Sequence, residues 1–387
     1  MRRALLGILV TLTVAAAPIA QAPLASARTA DPGPGYFAKN AEFITNIPVN
    51  TDSSGSRLVD HYLYVNSGQD LEIYDVSDAL NPQRVGQLVL PETPQFPQED
   101  VDTNGRILVV GAFTQPNATS PADVGANSLY VIDVEDKTNP QIIGQLAGAA
   151  QHTLSCVLDC TYVYGSEGEI VDIRKPAHPT IVGNWAKGSP ARSFHDVTEV
   201  RPGIIVTSTQ PILMLDARQD PTHPKILATG ANKDGRFIHA NLWPEKGHDK
   251  FLLVGGESTG NCSDKGSGQF MTWDATHWRQ SHTFNMIDDF GEGNGLPTDG
   301  QSPDNTYCAH WFQPHQTYDN GGLVAMGWYE HGTRFLRVSD TGKISEVGYF
   351  LPFGTTEASS PYWITKRILY VIDYNRGIDI IKYTGKF

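Results

Sequence analysis

One arrangement of short β-prone segments recurs along this chain at a spacing of about 40 residues, within the range of known repeat architectures. The stretches LYVNSGQDLEIYDVSDALNPQRVGQL at 63–88 and LYVIDVEDKTNPQIIGQL at 129–146 share a β-rich run, an aspartate, an Asn-Pro turn and a glycine-containing run. Such units cannot bury their apolar faces alone, so they must stack on one another. Four short runs per unit without helical periodicity therefore predict an all-β propeller.

Seven units can be delimited, and the last is incomplete. It has three β-runs, whereas the isolated run FITNI at 43–47 resembles the last run of the other units. We therefore expect a seven-bladed β-propeller in which an N-terminal strand completes the C-terminal blade. A two-domain α/β fold would need crossover helices of a dozen or more residues, and the sequence shows none. The units span 53–90, 98–148, 150–185, 193–229, 237–286, 306–351 and 357–387.

An aspartate ends the third β-run of most units, directly before a Pro-containing turn. A carboxylate at that place accepts a hydrogen bond from the backbone two residues on, which favours turn capping over catalysis. The aspartates in this position are Asp75, Asp133, Asp172, Asp216 and Asp274. His178 and His223 lie in the following turns, where we expect them on the surface.

The LYVID run, followed by a polar turn, Asn-Pro and a glycine-containing strand, resembles the LVIVD-repeat proteins. These are predicted propellers that are common among exported bacterial proteins. The resemblance covers nearly the whole chain after the leader and is clearest at 63–88, 129–146 and 367–383. It implies the propeller fold but little about chemistry, because one propeller scaffold can carry many activities.

Residues 1–27 have the pattern of a secretory signal peptide. Two arginines precede an apolar run at 4–17, and an Ala-Ser-Ala pattern ends at Ala27. The apolar run is too short to span a bilayer, and the residues around the paired arginines fit twin-arginine export poorly. We predict cleavage near Ala27, a linker at 28–38, a propeller at 39–387 and an extracellular location.

Charge and composition exclude several classes of partner. The formal net charge is −13 and the chain has no cluster of Lys and Arg, so neither nucleic acid nor an anionic membrane surface is expected. No later segment is long and apolar enough for membrane insertion. The expected partners are a small-molecule substrate and an extracellular protein or glycan. A closed ring of blades has no long free sheet edge, which favours a monomer.

Histidine recurs at one register when the units are aligned by their second β-run. The first strand of a propeller blade lines the central channel, so these rings should lie in an arc at one height. Their neighbours differ, as QHT, FHD, IHA and AHW, so the imidazole is the shared feature. The four residues are His152, His195, His239 and His310.

Imidazole nitrogen is a common ligand of Zn, Cu, Fe and Ni. We therefore predict a transition-metal centre on the axis, held by three or four of these histidines. The alternative is that they form hydrogen bonds along the channel. A ligand set of imidazoles without a carboxylate favours copper, followed by iron or zinc.

The expected activity is metal-dependent oxidation of a small molecule. Carotenoid cleavage oxygenases are similar in placing an iron held by histidines on the axis of a propeller. Selenium-binding methanethiol oxidases are also metal-linked propellers. The alternatives are a metal-dependent hydrolase or lyase, and a non-catalytic extracellular or cell-surface binding scaffold.

Three acids and one histidine occur in the turns between the second and third runs, on the same face as the four histidines. Groups in such a position can orient metal ligands or transfer protons, so they are our candidate catalytic residues. The alternative is that they are solvated turn residues. They are Glu167, Glu257, Glu330 and His331.

The four cysteines of an exported chain are expected to form two disulfides. Local pairing favours Cys156 with Cys160 and Cys262 with Cys308 among three possible connectivities. The second bond would tie an insertion over the channel mouth, near His310. The alternative for Cys308 is a thiolate ligand of the metal.

Overall fold

Strands dominate the computed structural model of this protein. It describes residues 35–49, 55–67, 70–90, 101–112, 128–149, 152–230, 236–257, 268–291, 309–353 and 356–387. The predicted signal peptide, most of the predicted linker, and both Cys262 and Cys308 lie outside these ranges. The expected leader and the expected second disulfide therefore stay predictions.

Within the described ranges, the strands form antiparallel sets of four, which we call blades 1 to 7 in chain order. Blades 1 and 2 consist of β3 (Ser56–Val59), β4 (Tyr62–Asn66), β5 (Asp70–Asp75), β6 (Gln83–Val89), β7 (Val101–Thr103), β8 (Ile107–Ala112), β9 (Ser128–Asp133) and β10 (Gln141–Ala147). Blades 3 and 4 consist of β11 (Leu154–Val157), β12 (Tyr162–Gly165), β13 (Glu169–Asp172), β14 (Thr180–Asn184), β15 (Arg192–Arg201), β16 (Ile204–Gln210), β17 (Ile212–Asp216) and β18 (Lys225–Gly230).

The remaining blades include two short helical turns, α1 (Pro244–Gly247) and α2 (Trp278–Ser281). Blades 5 and 6 consist of β19 (Ala240–Leu242), β20 (Phe251–Gly255), β21 (Phe270–Asp274), β22 (Thr283–Phe290), β23 (Phe312–Pro314), β24 (Gly322–Gly327), β25 (Thr333–Val338) and β26 (Ile344–Pro352). Blade 7 consists of β27 (Ala358–Trp363), β28 (Ile368–Asp373), β29 (Gly377–Tyr383) and the N-terminal β2 (Ala41–Ile47).

The N-terminal segment closes the ring. Strand β2 pairs antiparallel with β29, from Ala41 opposite Tyr383 to Ile47 opposite Ile378. The predicted closure, in which the run at 43–47 completes the last blade, is therefore confirmed. Strand β1 (Tyr36–Lys39) adds a fifth strand to blade 6 by pairing with β26. The last residues of the predicted linker thus belong to a sheet.

The apolar core lies between blades. Seven hydrophobic clusters of described residues each join two consecutive blades around the ring. In one of them, Ile378 and Ile380 of blade 7 pack with Leu63 and Val65 of blade 1. The predicted β-propeller is confirmed, because each sheet buries its faces against its two neighbours.

Blades 4 and 5 are also joined along their outer edges. Strands β18 and β22 pair in parallel at Thr229 and Gly230, which makes one eight-stranded sheet of the two blades.

The described residues contain no helix long and apolar enough to cross a membrane. The predicted disulfide joins Cys156 of β11 to Cys160 in the turn before β12.

A glycine in the fourth strand allows each of blades 1 to 3 to approach the next blade closely. These glycines lie at bulges, where the strand passes over the turn that follows the third strand of the next blade. A Cβ at these positions would overlap a backbone carbonyl oxygen. The three pairs are Gly86 with Lys137, Gly144 with Pro176, and Gly183 with Thr222.

The repeated aspartates cap turns, as predicted. Asp75 Oδ1, for example, accepts a hydrogen bond of 2.9 Å from the backbone N–H of Ser77. Four other aspartates accept the equivalent bond from the backbone N–H two residues further on. They are Asp133, Asp172, Asp216 and Asp274. His178 and His223 are exposed in the neighbouring turns.

Candidate metal centre

The four repeated histidines lie at the start of the first strands of blades 3 to 6. First strands of neighbouring blades contact one another, including β7 with β11, β11 with β15 and β15 with β19. These strands therefore surround the axis. His195 lies within β15, His239 directly precedes β19, and His152 and His310 each lie two residues before β11 and β23.

The imidazoles form a row along the inner wall. The ring centroids of His152 and His195 are 5.2 Å apart. Those of His195 and His239 are 3.8 Å apart, and those of His239 and His310 are 4.4 Å apart. His239 and His310 are fully buried, His195 is nearly so, and His152 is half-buried.

Two of these histidines form a compact group with one carboxylate. One potential ligand atom from each of His195, His239 and Glu257 lies within 4.8 Å of the other two. Ligands at zinc-like bond lengths of 2.0–2.1 Å would be about 3.3 Å apart in a tetrahedral site. Small rotations of the three side chains would therefore bring them to bonding distance of one ion.

This group differs from the predicted ligand set. His152 and His310 flank it at either end of the row, whereas Glu257, predicted as a proton-transfer residue, is its third member. The cause is the hairpin of β19 and β20, in which Ala240 pairs with Gly255. Glu257 follows two residues later and so returns to the start of β19, beside His239.

The tautomer of His195 suits metal binding. Its Nδ1 lies 2.9 Å from the backbone carbonyl oxygen of His239. A carbonyl oxygen only accepts hydrogen bonds, so Nδ1 carries the hydrogen and Nε2 presents its lone pair. Metal-binding histidines commonly donate their second N–H in this way. The hydroxyl of Thr153 also donates to the backbone carbonyl of His195 and holds this strand in place.

Glu257 is oriented by a tyrosine from the next blade. The phenol of Tyr329 donates a hydrogen bond of 2.7 Å to Glu257 Oε1. Tyr329 has a φ of 41°, in the left-handed region, and exchanges two backbone hydrogen bonds of 3.0 Å with Ala358. Strained backbone of this kind persists where the surroundings hold it, and it is common at functional sites.

The site has an aromatic wall on the side of His310. The Nδ1 of His310 lies 3.0 Å from the hydroxyl oxygen of Ser359. Its ring centroid lies 4.5 Å from that of Tyr329 and 5.9 Å from that of Tyr374. Trp311 contacts His239 with a centroid distance of 5.2 Å. His310 therefore packs among aromatic rings beside the group of His195, His239 and Glu257.

The other candidate catalytic residues lie outside the donor group. Glu167 is exposed in the turn between β12 and β13. Glu330 and His331 are buried in the turn between β24 and β25, directly after Tyr329. Sequence reasoning missed Tyr329, although its place in this turn corresponds to that of Glu257 in blade 5.

Burial also affects the acid next to His195. It raises the pKa of Asp196 to about 8, against hydrogen bonds that favour the charged form. Burial therefore favours the neutral form of Asp196.

Solved structures share the fold of this chain. The Raptor protein of Chaetomium thermophilum matches with a TM-score of 0.57 at 12% identity, over 89% of this chain and 29% of that chain. The WD40 repeats of RRP9 match with a TM-score of 0.59 at 8% identity, over 90% and 99%. The structure of U3-55K matches with a TM-score of 0.56 at 8% identity, over 88% and 98%.

These similarities concern the fold alone, because propellers of one shape carry unrelated functions. This chain spans less than a third of the length of Raptor. No family model and no curated protein matches the chain. The resemblance to the LVIVD-repeat proteins therefore stays a prediction.

Proposed function

We propose that this protein is a metal-dependent enzyme whose divalent ion is held by His195, His239 and Glu257. The observation that carries the proposal is the compact group of two imidazoles and one carboxylate. Two neighbouring contacts support it. His195 has its Nδ1–H donated to a carbonyl, and Glu257 is oriented by the phenol of Tyr329. Such outer contacts are typical of built metal sites.

The carboxylate changes the order of expected metals. An all-imidazole site favours copper, whereas two histidines and one carboxylate are typical of non-haem iron(II) oxygenases. The same donors also occur at catalytic zinc. We therefore place iron first, followed by zinc and copper, and we propose oxidation of a small molecule as the reaction class.

Three ligands leave coordination positions open, where the metal would activate a small molecule or polarise a substrate. The residues of this chain then have separate roles. Tyr329 holds Glu257 in its ligating orientation, and the carbonyl of His239 holds His195. His310 and Trp311 form the wall against which a substrate would pack. Both are largely shielded from bulk water.

Measuring the metal content of the purified protein tests this proposal directly. Purified protein reconstituted with Fe²⁺, Zn²⁺ or Cu²⁺ and then desalted should retain about one equivalent of metal by elemental analysis. His195→Ala and Glu257→Gln should retain little. His223→Ala, which removes an exposed histidine, should retain as much as the unchanged protein. Less than about one-tenth of an equivalent for every metal would reject the site and leave the binding-scaffold alternative.

We further propose that the chain is exported, on the basis of its leader pattern. Intact-mass analysis of protein secreted by the expression host should show an N-terminus near Arg28. A cell-associated protein that keeps residues 1–27 would contradict this proposal.

A further inference from the structure

A cavity of about 70 Å³ lies on the axis beside the row of histidines. Its wall comes from the first strands of five blades. Ala240 and Asn241 follow His239 directly, and Trp311 follows His310, so the cavity begins where the row of histidines ends. Arg57 of blade 1 and Thr198 of blade 4 form other parts of the wall.

Two buried polar atoms of this wall require a partner. Asn241 Oδ1 and Trp311 Nε1 have no hydrogen-bond partner among the described residues. The amide of Asn241 cannot be reversed, because its Nδ2 donates to the backbone carbonyl of Val206 at 3.2 Å and to Ser208 Oγ at 2.9 Å. Leaving buried groups unsatisfied is costly.

One residue of the cavity wall also lines a space on the opposite face of the propeller. Arg57 also lines a cleft of about 310 Å³, whose wall includes Asn104, Asp159 and Pro202. These residues lie in turns between first and second strands, whereas Glu257 lies in a turn between second and third strands. The two kinds of turn are at opposite ends of a blade, so the cleft opens on the face away from the metal centre.

Arg57 is much more exposed to solvent than Asp102, the carboxylate with which it pairs. Its Nε lies 2.9 Å from Asp102 Oδ1, and its side chain is 43% exposed. Asp102 is 6% exposed and also accepts hydrogen bonds from the backbone N–H groups of Thr103 and Cys156. The carboxylate is therefore held by the backbone, while the arginine arm lies about half in solvent.

We propose that the axial cavity is a route to the metal centre, by which water and solutes of a few non-hydrogen atoms enter from the opposite face, with Arg57 as its plug. The destination of this route rests on the proposed metal centre, whereas the route itself does not. Larger solutes are excluded because the cavity has room for only a few water-sized molecules.

Cysteine accessibility in metal-free protein tests the route. Thr198→Cys places a thiol on the cavity wall, and methyl methanethiosulfonate is small enough to reach it. The thiolate attacks the sulfenyl sulfur, a disulfide to the methylthio group forms, and methanesulfinate leaves. Mass spectrometry follows the added group, with the unchanged protein as the measure of its native cysteines. We expect slow modification by this reagent and none by a bulky biotin maleimide.

Removing the plug should accelerate the reaction. Arg57→Ala in the Thr198→Cys background should increase the rate roughly tenfold, which corresponds to a barrier lower by about 1.4 kcal/mol. The matched control Arg218→Ala, which removes an exposed arginine paired with Asp216, should leave the rate unchanged. An equal rate with and without Arg57, or a thiol that reacts only after denaturation, would overturn the proposal.

If Thr198→Cys fails to fold by circular dichroism, Ser360→Cys on the same wall replaces it. Because these measurements use metal-free protein, a failure of metal binding does not affect them. Conversely, an inaccessible cavity in a protein that binds metal would reject the route and leave the metal centre intact.

Discussion

The phenol of Tyr329 donates a 2.7 Å hydrogen bond to Glu257, and the two residues occupy matching positions in neighbouring blades. Ala240 pairs with Gly255 in blade 5, and Phe312 pairs with Met326 in blade 6. When the same pairing is continued past the strand ends, Glu257 and Tyr329 each lie opposite the residue that precedes a histidine of the row. One structural position thus supplies the proposed metal ligand in one blade and, in the next, the group that orients it.

Tyr329→Phe should weaken metal binding without unfolding the protein. It removes the hydrogen bond to Glu257 and keeps the ring that packs on His310. Loss of an outer contact of this kind typically lowers metal affinity by about 10–100-fold. Competition titration against a chelator measures the change. Tyr36→Phe, in the exposed N-terminal strand, is the control, and equal affinities for the two variants would contradict the role of Tyr329.

Alanine substitutions along the histidine row should have unequal effects. His239→Ala removes a member of the donor group and should abolish retention of about one equivalent of metal. His152→Ala removes a half-buried flanking ring and should keep most of it. Elemental analysis after desalting distinguishes the two variants. Equal loss in both would instead support a site made of four imidazoles.

Acid should destabilise the protein through His315. Burial lowers the pKa of this histidine. Its Nε2–H donates to the carbonyl of Lys366 at 3.0 Å, and its Nδ1 accepts from the hydroxyl of Thr317 at 2.8 Å. Protonation of Nδ1 would replace an acceptor by a donor that faces another donor.

The sign of this effect follows from proton uptake. Below the ordinary histidine pKa the unfolded chain binds a proton that the folded chain does not, so stability falls as the pH decreases through that range. For one proton the slope is at most about 1.4 kcal/mol per pH unit. Denaturant titrations between pH 7 and pH 5 should show a smaller slope for His315→Gln than for the unchanged protein. Identical slopes would exclude His315 as the cause.

Gly144→Ala should destabilise the interface between blades 2 and 3. The added methyl group would overlap the backbone carbonyl of Pro176, which cannot rotate away as a side chain could. Overpacking of this kind costs about 1–3 kcal/mol. Gln141→Ala, an exposed position in the same strand, should change stability by no more than about 0.5 kcal/mol. Chemical denaturation of both variants gives the comparison, and two equal free energies of unfolding would reject the close contact.

The repeat itself allowed much of the fold to be predicted. Three features of the sequence predicted a propeller closed by its N-terminal strand. They are the order of the β-runs, the Asp before each turn and the isolated run at 43–47. These features are local, because period-two runs, Asx turns and turn-forming prolines depend on residues close in sequence. The alignment of units also brought His195 and His239 to one register, since repeated units place equivalent positions at equivalent sites on the ring.

Tertiary structure decided which of the aligned residues can act together. Glu257 meets His195 only because a hairpin turns back on the strand start and because two blades lie side by side. The hydrogen bond from Tyr329 likewise crosses between blades. The register of a repeat gives the height of a residue on the axis. Distances of a few ångströms between side chains depend on rotamers, turn lengths and the packing of neighbouring sheets, which no local pattern encodes.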